Sequence, residues 1–168
     1  LLPKTVDDNT LVVSTSISGN TLETISILKN VEKLNAKFVA VFSGGIMEKF
    51  CKDKNIKSYK ISEEHSPRAS FLGFLYSTLS ILEQIIPVKK TDINKSIQSL
   101  FNLQRIISSE NLNETNEALQ IAQWIKEIPM VYYPSGLQST AIRFKNSMQE
   151  NAKMHIITED VIEASHNG

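Results

Sequence analysis

Hydroxyl side chains crowd one short stretch of the chain, STSISGNTLET at residues 14–24, just after the apolar run TLVV. A stretch this polar does not continue a buried strand, so it predicts a turn from a strand into a helix. At a helix start, backbone N–H groups and the helix dipole favour an anion, and hydroxyls donate further hydrogen bonds. The same residues also suit plain helix caps. Composition alone leaves both interpretations open.

Three more side chains have types suited to proton transfer or charge stabilisation. Arg68 lies in HSPRAS, Glu150 in AIRFKNSMQENAK and His166 in EASHNG. A guanidinium can stabilise a developing oxyanion, a carboxylate can remove a proton, and an imidazole can both donate and accept one. Taken alone, each also fits a plainer interpretation: a surface cation, a solvated carboxylate on an amphipathic helix, or an exposed histidine. His65 lies close enough in sequence to touch a site beside Arg68.

An alternation of apolar strands and amphipathic helices must position these residues. The patterns predict strands at 10–16, 38–43, 56–62, 129–135 and 154–160, and helices at 21–35, 46–53, 67–86, 89–107, 113–127 and 137–153. This order is typical of an α/β fold with doubly wound parallel sheets flanked by helices. We expect two incomplete subdomains, residues 1–88 and 113–168, with an interdomain helix or linker at 89–112 that ends in a polar turn.

Three predictions concern packing. The helix at 67–86 is apolar around much of its circumference, so we expect it to be buried or at an interface. Trp124, on an amphipathic helix, is predicted to lie in the core. Cys51 is predicted to be a small buried residue.

Bulk composition limits the possible partners. Hydrophobic residues make up 41% of the chain and charged residues 21%, as in ordinary globular domains. Basic and acidic residues balance at 18 each, which favours neither a nucleic-acid surface nor a membrane. The single cysteine allows no intramolecular disulfide and fits the cytoplasm. No cluster has the spacing of a metal site and no nucleotide loop is present, so we expect no metal and no cofactor.

The motifs together resemble the sugar isomerase (SIS) domain family, whose doubly wound domains bind phosphosugars. SISGNTLET resembles the family's phosphate loop, and VAVFSGG resembles its next strand, so Ser16, Ser18, Thr21 and Ser43 are implied phosphate ligands. PRA, ENAK and the His-Asn pair at 166–167 resemble the family branch of bifunctional phosphoglucose/phosphomannose isomerases. Since the chain starts without Met and lacks that branch's first Gly-rich loop and last Lys-bearing helix, we expect a central fragment that is inactive alone.

The resemblance implies interconversion of glucose 6-phosphate or mannose 6-phosphate with fructose 6-phosphate through a cis-enediolate, as in glycolysis and gluconeogenesis. It assigns proton shuttling to Glu150, oxyanion stabilisation to Arg68 and ring opening to His166, often from the neighbouring subunit. We therefore expect a homodimer with a shared active site. One alternative is a phosphosugar-binding regulatory module without catalysis, which needs the loop but no base. Another is an isomerase domain of a different sugar-phosphate enzyme, which fits the loop but not PRAS with ENAK.

Overall fold

The computed structural model describes residues 2–64 and 66–167, and the chain divides into two compact units with the boundary between residues 93 and 94. This boundary falls inside the segment 89–112. The assignment of that segment as a separate linker stays a prediction. His65 lies outside the described residues. Among the helices described, none is long and apolar enough to cross a membrane.

The first unit is a three-stranded parallel sheet with helices between its strands. The three strands lie side by side in chain order, and Val13 of the first pairs with Val39 of the second. The elements are β1 (Leu11–Ser16), α1 (Leu22–Val31), a 3₁₀ turn (Glu32–Leu34), β2 (Lys37–Phe42), α2 (Gly45–Asp53), β3 (Ser58–Lys60), a second 3₁₀ turn (Pro67–Ser70) and α3 (Phe71–Ile81). Parallel strands joined by helices are those of the predicted α/β class.

The core of the first unit lies between β2 and the helices on either side of it in sequence. Residues 39–42 of β2 are all buried, as expected for a strand covered on both faces. The core cluster consists of side chains from α1, β2 and α2: Ile25, Leu28, Ala40, Phe42, Met47 and Cys51. Cys51 is 1% exposed, which confirms the prediction of a buried cysteine.

The second unit contains a two-stranded parallel sheet in which Met130 pairs with Ile157. Helix α4 (Lys90–Ile107) crosses the boundary between the units. The elements that follow are α5 (Glu117–Trp124), β4 (Met130–Tyr133), α6 (Gln138–Asn151), β5 (Ile157–Asp160) and α7 (Val161–Asn167). Only Ala141 and Ile156 are buried hydrophobic residues among those described here, so the core of this unit is thin.

A polar turn connects α4 to α5, as the sequence predicts, and Asn116 fastens it. The side-chain oxygen of Asn116 accepts a hydrogen bond from the Leu119 N–H at 3.0 Å, which caps α5. Its side-chain nitrogen donates to the carbonyl oxygens of Ser108 and Asn111 at 3.3 and 2.8 Å. Asn116 is buried, and these bonds satisfy its polar atoms.

Two expectations need correction, and one helix was not predicted. Trp124 is 78% exposed rather than in the core, because α5 ends at this residue and its side chain remains open to solvent. The helix expected at 67–86 is a 3₁₀ turn followed by α3, which ends at Ile81. No residue of α3 is fully buried, and the alternative expectation, that it lies at an interface, stays a prediction. Helix α7 was not expected. It begins after Asp160, whose carboxylate accepts a hydrogen bond from the Ile162 N–H at 2.8 Å.

Candidate functional site

The loop between β1 and α1 holds its hydroxyls in a fixed network. The Ser16 and Thr21 hydroxyl oxygens lie 2.9 Å apart and share a hydrogen bond. The Gly19 N–H donates to the Ser16 hydroxyl, and the Asn20 N–H donates to the Ser18 hydroxyl, both at 3.2 Å. Ser16 is buried at 7% exposure, whereas Ser18 and Thr21 are exposed. Ser16 therefore supports the loop from inside, and Ser18 and Thr21 lie at its surface.

This loop is fastened to the next one, which connects β2 to α2. The Ser43 N–H donates to the Ile17 carbonyl and the Met47 N–H to the Gly19 carbonyl, each at 2.9 Å. The side-chain oxygen of Asn20 accepts a hydrogen bond from the Ile46 N–H at 3.0 Å. Asn20 therefore caps α2, a helix that begins 25 residues later in the chain.

Two glycines allow the loops to approach this closely. Gly19 has φ +64°, and a Cβ atom there would lie 1.8 Å from the carbonyl oxygen of Gly44. Gly45 has φ +76°, and a Cβ atom there would lie 2.2 Å from the carbonyl oxygen of Ser18. Only glycine fits such contacts between backbones, so both positions are part of the architecture of the loop pair.

The contacts between the loops decide which helix N-terminus can receive an anion. At α2, the N–H groups of Ile46 and Met47 donate to the Asn20 side chain and the Gly19 carbonyl and are already satisfied. At α1, the Ile25 N–H donates to the Thr21 carbonyl at 3.0 Å, and the N–H groups of residues 22–24 precede that first intrahelical bond. Free N–H groups of this kind bind anions. The N-terminus of α1, with the hydroxyls of Ser18 and Thr21 beside it, is the better anion site.

Ser43 lies next to this loop, at the end of β2. Its hydroxyl donates to the Ile17 carbonyl and has a carboxylate oxygen of Glu63 at 3.5 Å. Its proton is therefore directed at protein acceptors, and Ser43 would have to turn its hydroxyl to donate to a bound phosphate. The approach of Glu63 to this position could not be predicted from the sequence.

A charged cluster lies on α2 beyond the loops. Glu48 forms ion pairs with Lys52 at 2.9 Å and with Lys60 at 3.2 Å. Hydrogen bonds from Lys52 and then Lys60 lower the pKa of the Glu48 carboxyl. The two ammonium groups share this one carboxylate, so the cluster keeps a net charge of +1.

The three proposed catalytic side chains lie in different units. Arg68 is exposed on the 3₁₀ turn at Pro67–Ser70, in the same unit as the hydroxyl-rich loop. Glu150 is exposed near the end of α6, where its carbonyl accepts a hydrogen bond from the Lys153 ammonium at 2.8 Å. His166 is exposed on α7. Helices α6 and α7 both pack on β5, so Glu150 and His166 share one unit.

Comparisons with known proteins show which sequences and structures the chain resembles. Residues 114–168 match the family model for the bacterial phospho-glucose isomerase C-terminal SIS domain. Over 99% of its length, the chain is 31% identical to bifunctional phosphoglucose/phosphomannose isomerases of Thermoplasma acidophilum and Caldicellulosiruptor bescii. The chain resembles this group of isomerases. It spans about half the length of these relatives, 50% of each.

Two further comparisons show the fold and the range of reactions named among similar proteins. A crystal structure from Clostridium difficile 630, of a protein provisionally assigned as a phosphosugar isomerase, superposes with a TM-score of 0.56 over 98% of this chain and 49% of that one. Its 18% identity shows the fold alone, which is SIS-like. A D-glucosamine-6-phosphate 4-epimerase of Sulfolobus acidocaldarius is 28% identical over 96% of this chain and 51% of its own length. Similar sequences in this group therefore have names that specify different reactions.

Proposed function

We propose that this chain forms part of an isomerase that interconverts glucose 6-phosphate or mannose 6-phosphate with fructose 6-phosphate. The observation that carries the proposal is the loop pair, which leaves the first turn of α1 and the hydroxyls of Ser18 and Thr21 available for a phosphate. Ser16 supports that loop, and Ser43 is the fourth proposed ligand. The phosphate does not react, but its binding energy positions the sugar carbons for proton transfer.

The proposed chemistry is a proton transfer between neighbouring carbons. His166 assists opening of the sugar ring, since an imidazole can accept and donate a proton near neutral pH. Glu150 removes the proton from C2 of the aldose and returns it to C1, and the carbonyl moves from C1 to C2 through a cis-enediolate. Arg68 stabilises the negative charge on the enediolate oxygen. We also propose a cytoplasmic homodimer with a shared active site.

The experiment is a coupled assay on the full-length protein that compares the wild type with Glu150→Gln. This substitution keeps the size of the side chain and removes the base, so turnover should fall by about 100-fold or more while fructose 6-phosphate still binds. Glu127→Gln, another exposed glutamate on the same unit, is the matched control and should keep full turnover. Full turnover in Glu150→Gln would show that the assigned base is wrong.

The same assay distinguishes the proposed isomerase from two other functions. A wild-type protein that binds fructose 6-phosphate and never isomerises it would be a regulatory module, which uses the phosphate loop without Arg68, Glu150 and His166. The epimerase relative favours a second reaction, so glucosamine 6-phosphate belongs among the substrates tested. Turnover of that substrate alone would replace the isomerase proposal with epimerisation.

A further inference from the structure

Glu63 lies beside the loop pair, although it belongs to the segment that follows β3. The parallel register sets Phe42 of β2 against Lys60 of β3, and the Ile61 N–H donates to the Phe42 carbonyl at 2.9 Å. Two residues further on, a carboxylate oxygen of Glu63 lies 3.5 Å from the Ser43 hydroxyl oxygen. The sheet therefore brings a carboxylate to one of the proposed phosphate ligands.

The Ser43 hydroxyl has one proton and two acceptors within the protein. One acceptor is the Ile17 carbonyl oxygen, and the other is the Glu63 carboxylate. A hydroxyl donates a single hydrogen bond, so a phosphate at the loop pair would be a third acceptor for the same proton. The phosphate must displace these acceptors before Ser43 can become its ligand.

Glu63 also brings a negative charge that no neighbouring cation balances. Its side chain is exposed, and within residues 2–64 and 66–167 it forms no ion pair with a lysine or arginine. Lys60, three residues before it, pairs with Glu48 instead. A phosphate monoester carries close to two negative charges at neutral pH, so a carboxylate beside the site opposes its binding.

The next residue, Glu64, provides a direct comparison. Both glutamates are exposed and have the same charge. Glu64 lines an open cleft beside α3 with Ser62, whereas Glu63 contacts Ser43 of the loop pair. The two positions therefore separate contact with the Ser43 hydroxyl from negative charge in the same segment.

We propose that Glu63 competes with the phosphate for the Ser43 hydroxyl and thereby weakens phosphate binding at the loop pair. Glu63 is a positioning residue, because it acts through Ser43. Substrate and product of the proposed reaction carry the same phosphate, so weaker binding of this group favours release of the product. The inference rests on the proposed function, which places a phosphate beside Ser43.

The test is a titration of the ¹⁵N-labelled chain with inorganic phosphate, followed by the amide shifts of residues 18–24. Glu63→Gln keeps the size of the side chain, and its neutral amide oxygen is a weaker acceptor than a carboxylate. The affinity for phosphate should rise about three- to tenfold, the effect of one hydrogen bond that Ser43 can then donate to it. Glu64→Gln is the matched control and should gain clearly less. Equal affinities in the wild type and Glu63→Gln, or an equal gain in Glu64→Gln, would overturn the proposal.

Ser43→Ala shows whether Glu63 acts through the hydroxyl. In this background there is no hydroxyl proton to compete for, so Glu63→Gln should raise the affinity by clearly less than it does with Ser43 in place. A gain of the same size would mean repulsion by charge alone and would refute the competition. Shifts at residues 18–24 with unchanged affinity in Glu63→Gln would remove only the role of Glu63. If phosphate shifted these amides in none of the proteins, the phosphate site of the proposed function would be refuted together with this role.

Discussion

Replacing Gly19 by alanine tests whether the two loops are locked together. The backbone of Gly19 is left-handed, and the added Cβ would lie 1.8 Å from the Gly44 carbonyl oxygen. A Cβ atom has no torsion that could move it aside, so the backbones themselves must separate. That separation would also break the hydrogen bond from the Met47 N–H to the Gly19 carbonyl.

The cost has two parts. An L residue in the left-handed conformation loses about 1–2 kcal/mol. Parting the loops releases the hydrogen bonds from Met47 to Gly19 and from Ile46 to Asn20, each worth about 0.5–1.5 kcal/mol. The free energy of opening the first unit should therefore fall by about 2–5 kcal/mol, if these contributions add.

Cys51 provides the assay, because it is the chain's one cysteine and lies in the core of the first unit. Burial raises the pKa of its thiol, so a thiol reagent should react only when the unit opens. A loss of about 2–5 kcal/mol should speed labelling of Gly19→Ala by roughly 30-fold to several thousand-fold, at tenfold per 1.36 kcal/mol.

Alanine at two other glycines serves as a control for the steric clash at Gly19. Gly73→Ala places a Cβ 3.5 Å from the Ile61 side chain, an ordinary contact within a helix, and should label no faster than the wild type. Gly136 has φ +88° with nothing within 4 Å, so Gly136→Ala measures left-handed strain alone, by urea unfolding. If Gly19→Ala labelled at the wild-type rate, the close contact between the loops would be refuted.

The remaining predictions concern single side chains. Lys52 and Lys60 lower the pKa of the Glu48 carboxyl, so Glu48 stabilises the first unit above the ordinary carboxyl pKa, and this contribution disappears as the pH falls through the lowered pKa. The urea midpoint of Glu48→Gln should accordingly lie below that of the wild type at neutral pH and equal it in acid; a constant difference would contradict this. Asn20→Ala removes the cap of α2 and should cost about 1 kcal/mol in thermal unfolding, whereas Asn20→Asp, which keeps an acceptor, should lose clearly less. Equal losses would argue against the cap. Trp124 fluorescence should be quenched by iodide at low protein concentration, and a blue shift on concentration would indicate that the proposed homodimer covers it; shielded emission at the lowest concentration would contradict its exposure.

Much of the first sheet could be predicted from the sequence because β1 and β2 contain short apolar runs bounded by polar turns. The run FVAVF lies in β2 almost residue for residue, since a strand buried on both faces must be continuously apolar. Helix α7 was missed although Asp160 and Glu163 have the spacing of a capping box. Trp124 was placed wrongly because periodicity identifies an apolar face without identifying what covers it.

The candidate site was predictable only where its chemistry is local. The hydroxyls of Ser16, Ser18 and Thr21 lie within six residues, so their clustering is visible in the sequence. The cap that Asn20 provides to α2 and the approach of Glu63 to Ser43 join residues 20 or more positions apart. Such contacts depend on strand register, which a single sequence does not specify at this accuracy.

The hydroxyl-rich stretch suits both a helix cap and an anion site, and its hydrogen bonds divide these two roles between two helices. The loop caps α2, because the Asn20 side chain and the Gly19 carbonyl accept hydrogen bonds from the N–H groups of Ile46 and Met47. The loop therefore occupies N–H groups at the start of α2. The N–H groups in the first turn of α1 stay available for an anion, beside the exposed hydroxyls of Ser18 and Thr21. Because α2 is capped by the same loop that would hold the anion, any change that loosens the cap also displaces the anion site. Stability of the loop pair and phosphate affinity should thus change together, which an isolated helix cap would not require.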